Sequence, residues 1–210
     1  MELNISKYTY INQLFASVNG KKLVVTGAPE KGKFLTALYR KLNVEYPKFF
    51  KMDTLSKLGF LASELIFENG KQRFIPREDG VIICFNRSSS LETDILFQSS
   101  LEPGNFFPSP SVFVYTLPNI VAGEIAIRNK FLGETSFYIS EKFNPEQIFS
   151  AVDIAFQNNK TNFVLASWVE SFELSCEVFM LLVEKKTGKD AIPFSIKCIT
   201  ELFNNEHLYG

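Results

Sequence analysis

Seven short runs rich in β-branched and aromatic residues punctuate the chain, and several of the segments between them repeat their apolar residues at helical spacing. The runs are residues 8–18 (YTYINQLFASV), 21–27, 80–86, 134–140, 162–171, 176–186 and 191–203, each bounded by Gly, Pro, Asn or charge. Phe34, Leu35, Leu38 and Leu42 share one helical face, and Phe50, Leu55, Leu58, Phe60, Leu61, Leu65 and Ile66 form a wider stripe over residues 50–67. Residues 118–131 read as a helix with Pro118 in its first turn, and Asn144 caps a last helix that begins at Pro145. Strands alternate with helices until three strands follow in succession. That order predicts an α/β fold with a mixed sheet of five or more strands flanked by helices, because strands joined by short turns pair antiparallel.

With 22 Phe and 46% hydrophobic residues, 210 residues suffice to bury one substantial core, so a single domain over residues 1–210 is expected. The start, MELNISKYTY, has no apolar signal-peptide region, and no stretch approaches 18 uninterrupted apolar residues. No membrane span and a cytoplasmic location are therefore expected. Cys84, Cys176 and Cys198 are odd in number and form no C-x-x-C pair, which argues against a disulfide framework and a metal site and suggests three buried thiols. Residues 1–60 carry ten Lys/Arg against four Asp/Glu, while residues 61–210 carry twelve against nineteen. The basic first part could meet an acidic partner, but no interleaving of bases with exposed aromatics points to nucleic acid.

One motif suggests a phosphate loop. Gly27, Gly32 and Lys33 have the spacing of G-x-x-x-x-G-K, but the next residue is Phe34 where a hydroxyl would hold Mg²⁺. No candidate strand ends in the Asp of a Walker-B element, so nucleotide binding at residues 27–33 is the weakest of the functional readings. A turn feeding a helix that packs Phe34, Leu35 and Leu38 inward is the better reading. Likewise, NRSSSLETD (86–94) reads as a strand-to-helix turn with Ser and Asp capping groups rather than an anion site.

Residues 110–140, PSVFVYTLPNIVAGEIAIRNKFLGETSFYIS, carry Asn119, Ala122 and Gly123 in an Asn-x-x-Ala-Gly pattern, with Gly133 before a strand. This stretch resembles the N-terminal half of β-ketoacyl-acyl-carrier-protein synthases, the condensing enzymes of fatty acid and polyketide synthesis, which share the thiolase-like fold. The likeness extends to FFKMDTLSKLGFLASELIF (49–67), which looks like the family's basic-Met-Asp segment, and to residues 151–186, covering roughly residues 45–190 in all. It implies a thiolase-like half-domain at about half the length of a complete member.

The same resemblance places the family's nucleophilic cysteine near Lys142, and no cysteine lies between Cys84 and Cys176. An acyl thioester needs a thiolate, and an exposed ammonium cannot replace it. The two histidines of a second half are missing too: His207 is the chain's one histidine, and it reads as a solvated tail residue. Cys84 as a displaced nucleophile and a hydrolytic Ser140/Glu141/Lys142 cluster are minor alternatives. The helix from Pro145 puts Ile148, Phe149, Val152, Ala155 and Phe156 on one face and Glu146, Gln147, Ser150, Asp153 and Gln157 towards the other, as a free-standing half requires.

The resemblance further implies that residues 134–140 form a sheet edge pairing across a two-fold axis. Thr135, Phe137 and Ile139 are then the dimer-edge residues, with a homodimer or a heterodimer with a complete ketosynthase both open. Lys48, Lys51 and Lys57 would suit an acidic acyl carrier protein. The expected function is a non-catalytic ketosynthase-like partner or chain-length-type subunit, without a cofactor, in a fatty-acid, aryl-polyene or polyketide-type pathway. A divergent acyltransferase or thioesterase is the alternative.

Overall fold

The computed structural model describes the chain except residues 1, 26–30, 69, 71–72, 102–103, 105–107, 174, 186–191 and 209–210. The chain enters as β1 (Leu3–Asn12), turns where Asn12 Oδ1 accepts the N–H groups of Leu14 and Phe15, and returns as β2 (Ala16–Val18) and β3 (Lys21–Leu23). There follow α1 (Lys31–Lys41), a 3-10 turn (Pro47–Lys51), α2 (Thr54–Ile66), β4 (Gly80–Asn86), α3 (Leu91–Ser99), α4 (Pro110–Val114) and α5 (Ile120–Asn129). The last part comprises β5 (Thr135–Ile139), α6 (Pro145–Gln157), β6 (Phe163–Phe172), β7 (Ser175–Lys185), β8 (Ile192–Pro193) and α7 (Ile196–Leu208).

All the strands join one mixed sheet in the order β3-β2-β1-β7-β6-β4-β5, with β8 paired to the start of β1. β5, β4 and β6 are parallel, so helices must cross between them, whereas β6, β7, β1, β2 and β3 follow one another antiparallel. Every residue of β4 is buried, as expected of a strand covered on both faces. On one face α1, α2 and α5 pack Phe34, Leu38, Leu58, Leu61, Val121 and Ile125 against the sheet. On the other, α6 and α7 supply Ile148, Val152, Phe156, Ile199 and Phe203. The result is a three-layer α/β/α unit. Gly59 permits a close approach of α2 to α5, since a Cβ there would lie 2.3 Å from Val121 Cγ2.

The α/β class, the mixed sheet and four of the strand runs agree with the expectation, while the run at 21–27 is strand over Lys21–Leu23, with residues 26–27 outside the described ones; four further details differ. The run at 8–18 divides, because the Asn12 side chain satisfies two amides and reverses the chain. The helical stripe at 50–67 divides as well: Asp53 accepts from Ser56 N–H at 2.9 Å and starts α2 anew after the 3-10 turn. Pro118 lies ahead of α5 rather than in its first turn, and Lys130, at φ 57°, ends that helix in the left-handed region. The expected strand at 191–203 is mostly helix. Ile192, Phe194, Ile196 and Cys198 alternate as in a strand, but Ser195 Oγ accepts from Cys198 N–H, and from there on the buried residues, Ile199, Phe203 and Glu206, follow helical spacing. α7, not α6, is therefore the last helix, and it packs beside α6 on the sheet's second face.

Candidate functional site

The turn between β5 and α6 stands where the resemblance expects a nucleophile. Lys142 is exposed there, while Ser140 is buried, with its Oγ 2.6 Å from Gln147 Oε1 and 3.1 Å from the carbonyl of Lys142. Asn144 Oδ1 accepts from the N–H groups of both Glu146 and Gln147 at 3.0 Å. Those are first-turn amides whose positive end would otherwise stabilise a thiolate or an oxyanion. The turn thus directs its own side chains at its free donors.

The other nucleophile candidates are held in structural roles. Cys84 lies in the middle of β4, with Ser167 Oγ 3.3 Å from its Sγ, and burial pushes its thiol up to about 11. Cys176 is buried as expected, but Cys198, on α7, is only half-buried. His207 is not a free tail residue: its Nδ1 lies 3.0 Å from Glu177 Oε2 and 3.2 Å from the Tyr10 hydroxyl, and its ring stacks on Phe203. Tyr10 donates to the same carboxylate oxygen at 2.7 Å, and Trp168 Nε1 to the other at 3.3 Å. Among the described residues, no group of three His, Cys, Asp or Glu could hold a metal ion.

Residues 86–94 do form a strand-to-helix turn, but Ser90 at the start of α3 makes no side-chain cap, and the amides are met by Asn86 and Glu170 rather than by the expected Ser and Asp. Asn86 Oδ1 accepts from Ser89 N–H and its Nδ2 donates to the Ser89 carbonyl, and Glu170 Oε2 accepts from the amides of Arg87 and Ser88. The turn's donors are thus met by Asn86 within it and by Glu170 from β6. The expected phosphate loop lies partly outside the described residues, Gly27 among them. Gly32 and Lys33 belong to the first turn of α1, where Phe34 and Leu35 are buried.

β5 is an edge strand, paired to β4 on one side only. Of the expected edge residues, Thr135 and Ile139 are exposed, and Phe137 is half-buried against the α2/α5 layer. Tyr138, whose neighbour Phe85 stacks on it at 5.1 Å, and Ile154 on α6 extend the apolar surface. Between β5 and α6 runs a groove of about 600 Å³ lined by Tyr138, Ile139, Gln147, Ser150 and Ile154. Ile127 and Leu132, both more than 60% exposed, flank the strand on its other side. Ile154 was not foreseen, because a lone isoleucine on a polar helix face carries no periodic signal.

The three lysines do not act alike. Lys48 Nζ lies 2.7 Å from Glu124 Oε1 and neutralises a carboxylate that is only 2% exposed. Lys57 is half-buried 5.8 Å over the Phe49 ring, and burial holds its ammonium below the usual lysine range. Lys51 is exposed.

No family model and no curated protein matches the sequence. Solved structures do. A chain of the ketosynthase in complex with its chain length factor from Xenorhabdus doucetiae superposes with a TM-score of 0.60 at 14% identity, over 90% of this chain and 81% of that one. The fold is that of a ketosynthase. The ishigamide ketosynthase/chain length factor gives a TM-score of 0.58 at 13% identity over 92% of this chain and 64% of its own. A β-ketoacyl synthase from Burkholderia phymatum gives 0.58 at 11% identity over 88% and 59%. The chain thus spans less than two thirds of the latter two, and presents the thiolase-like half-domain of the ketosynthase fold with its edge strand unpaired. No helix among the described residues is long and apolar enough to cross a membrane.

Proposed function

We propose that the chain is a non-catalytic partner of a complete ketosynthase, of the chain-length-factor kind, and that it docks through β5. The observation that carries this reading is the unpaired β5 edge with exposed Tyr138, Ile139, Ile127, Leu132 and Ile154 around it. An edge strand with an apolar surround on both faces is a template for another chain, and natural proteins keep such edges covered. The self-capped turn at Asn144 and the cysteine-free stretch around Lys142 support the non-catalytic part. The first solved neighbour supports the kind of partner: it is a ketosynthase complex with a chain length factor, and nine-tenths of this chain aligns to four-fifths of a chain of nearly its own length. A homodimer across the same strand is the competing arrangement.

Ile139→Asp tests the reading. Ile139 is 58% exposed, so the variant keeps the fold, while a carboxylate enters the apolar surface at the end of the docking strand. Co-expressed with a complete ketosynthase from the same host, the wild-type chain is expected to elute with it at a defined mass. The variant is expected to bind on the order of a hundredfold more weakly, the loss of one apolar hot spot. Unchanged co-elution of the variant would remove β5 from the interface, and a wild-type chain that associates only with itself would favour the homodimer.

Carrier-protein docking at the lysines is a further part of the proposal, and it narrows to Lys51, whose charge faces solvent. Lys51→Glu is expected to weaken capture of an acidic acyl carrier protein about three- to tenfold at low salt, with less effect at high salt. Lys48→Glu is expected instead to lower the unfolding midpoint, because it leaves Glu124 buried beside a second carboxylate. Equal carrier affinity of wild type and Lys51→Glu at low salt would end the docking reading.

A further inference from the structure

A second cavity lies at the opposite end of the parallel strands from the β5–α6 turn. Its volume is about 370 Å³, within the range of small-molecule sites. Arg77, just before β4, and Phe131, just before β5, bridge in parallel at its rim, and the ends of α2 and α5 close it from above. Phe67 and Phe131, edge to face at 5.2 Å, together with Leu182 form its apolar wall.

The polar groups on the wall are of two opposed kinds. Glu64 takes both Arg73 and Arg128, so one carboxylate is shared by two guanidiniums, and Glu68 adds a longer-range attraction on Arg73. Arg73 lines the cavity, and its buried Nε donor has no hydrogen-bond partner among the described residues. Asn129, another lining residue, is 1% exposed; its Nδ2 donates to the Ile125 carbonyl, which orients the amide and leaves the buried Oδ1 acceptor without a partner among the described residues. Glu184 also lines the cavity. Among the described residues its carboxylate makes no hydrogen bond or ion pair and meets only the longer-range attraction of Arg77, itself held by Asp79 through two bonds of 2.9 Å.

A purely anionic ligand would satisfy Arg73 and be repelled by Glu184; a purely cationic one would meet the converse. The set calls for a dipolar molecule with an apolar body: a carboxylate for Arg73, an ammonium for Glu184 and Asn129 Oδ1, and a hydrocarbon or aromatic group for Phe67, Phe131 and Leu182. We propose that this cavity binds a free α-amino acid with an apolar side chain. The site is separate from the β5 docking edge and independent of the ketosynthase-partner reading.

Titration calorimetry on the full chain decides it, using L-phenylalanine and L-leucine as probes. Two arms each remove one charged group from phenylalanine: 3-phenylpropionate lacks the ammonium and 2-phenylethylamine lacks the carboxylate. L-phenylalanine is expected to bind at least about tenfold more tightly than either arm, the worth of one charge-assisted hydrogen bond. In Glu184→Gln, whose side chain holds no hydrogen bond or ion pair among the described residues, the preference over 3-phenylpropionate is expected to fall by about the same factor while the unfolding midpoint stays nearly in place. The proposal is overturned if neither amino acid gives heat up to about 10 mM, if both arms bind as well as phenylalanine, or if Glu184→Gln keeps the full discrimination. In the first of those cases the polar atoms hold an ordered water only.

Discussion

Replacing Glu64 with alanine is expected to destabilise the chain by about 3–5 kcal/mol, seen as a lower urea midpoint with an unchanged slope. Glu64 is 4% exposed on the inner side of α2 and accepts from Arg73 and, at 2.8 Å, from Arg128 Nε. Arg128 in turn lies 5.2 Å over Tyr46 and 4.8 Å over Phe74, so its charge has little water around it. Without the carboxylate, two guanidiniums, 13% and 17% exposed, are left facing each other. Neither can lose its proton near neutral pH. For a domain of this size the loss corresponds to a fall in melting temperature on the order of 10 °C. Glu64→Gln, which keeps the volume and one acceptor, is expected to lose less. A Glu64→Ala protein within about 1 kcal/mol of wild type would show that the pair of arginines finds water or another carboxylate on its own.

The second large effect is expected at Gly133, where the chain enters β5. A Cβ there would lie 2.0 Å from the carbonyl oxygen of Gly80 and 3.0 Å from that of Glu78. Both are backbone atoms, which cannot rotate away as a side chain would. The neighbouring bonds leave no slack: Leu132 N–H donates to Arg77 O at 2.7 Å and Ile82 N–H to Glu134 O at 3.0 Å. Gly133→Ala therefore has to push β5 away from β4, at a cost of about 3 kcal/mol or more, the upper end of overpacking effects. Because β5 is held on one side only, its amides are expected to lose hydrogen-exchange protection first, and partner capture is expected to fall with them. Full protection of residues 135–139 in Gly133→Ala would mean that the strand tolerates the methyl group and that the close approach is not essential.

Much of the fold was legible in the sequence, for physical reasons that can be read at particular residues. Buried strands such as β4 and β6 are runs rich in β-branched and aromatic residues, bounded by Gly80 or by polar turns, and no helical stripe competes with them. Asn144 followed by Pro145 marks a helix start by local chemistry alone, and both amides are found on its side chain. The segment 191–203 was misread because its first residues alternate, while the helical burial of Ile199, Phe203 and Glu206 shows only against the sheet. His207 was misread for the same cause. Its partners Glu177 and Tyr10 are 30 and 197 residues away in the chain, and no local pattern announces them.

The candidate sites divide in the same manner. That the turn at Lys142 has no cysteine, and that residues 134–140 make a strand, follows from residue identity and spacing alone. Tertiary structure decided that β5 is an edge and that Ile127, Leu132 and Ile154, from three separate segments, surround it. It also divided three sequence-equivalent lysines into a counterion for Glu124, a half-buried side chain and an exposed charge. The cavity of Arg73, Asn129 and Glu184 draws on segments more than fifty residues apart. Local propensity is encoded by neighbours in the chain, whereas an unpaired edge, an unmatched buried donor or a shared carboxylate exists only after long-range packing has chosen the neighbours.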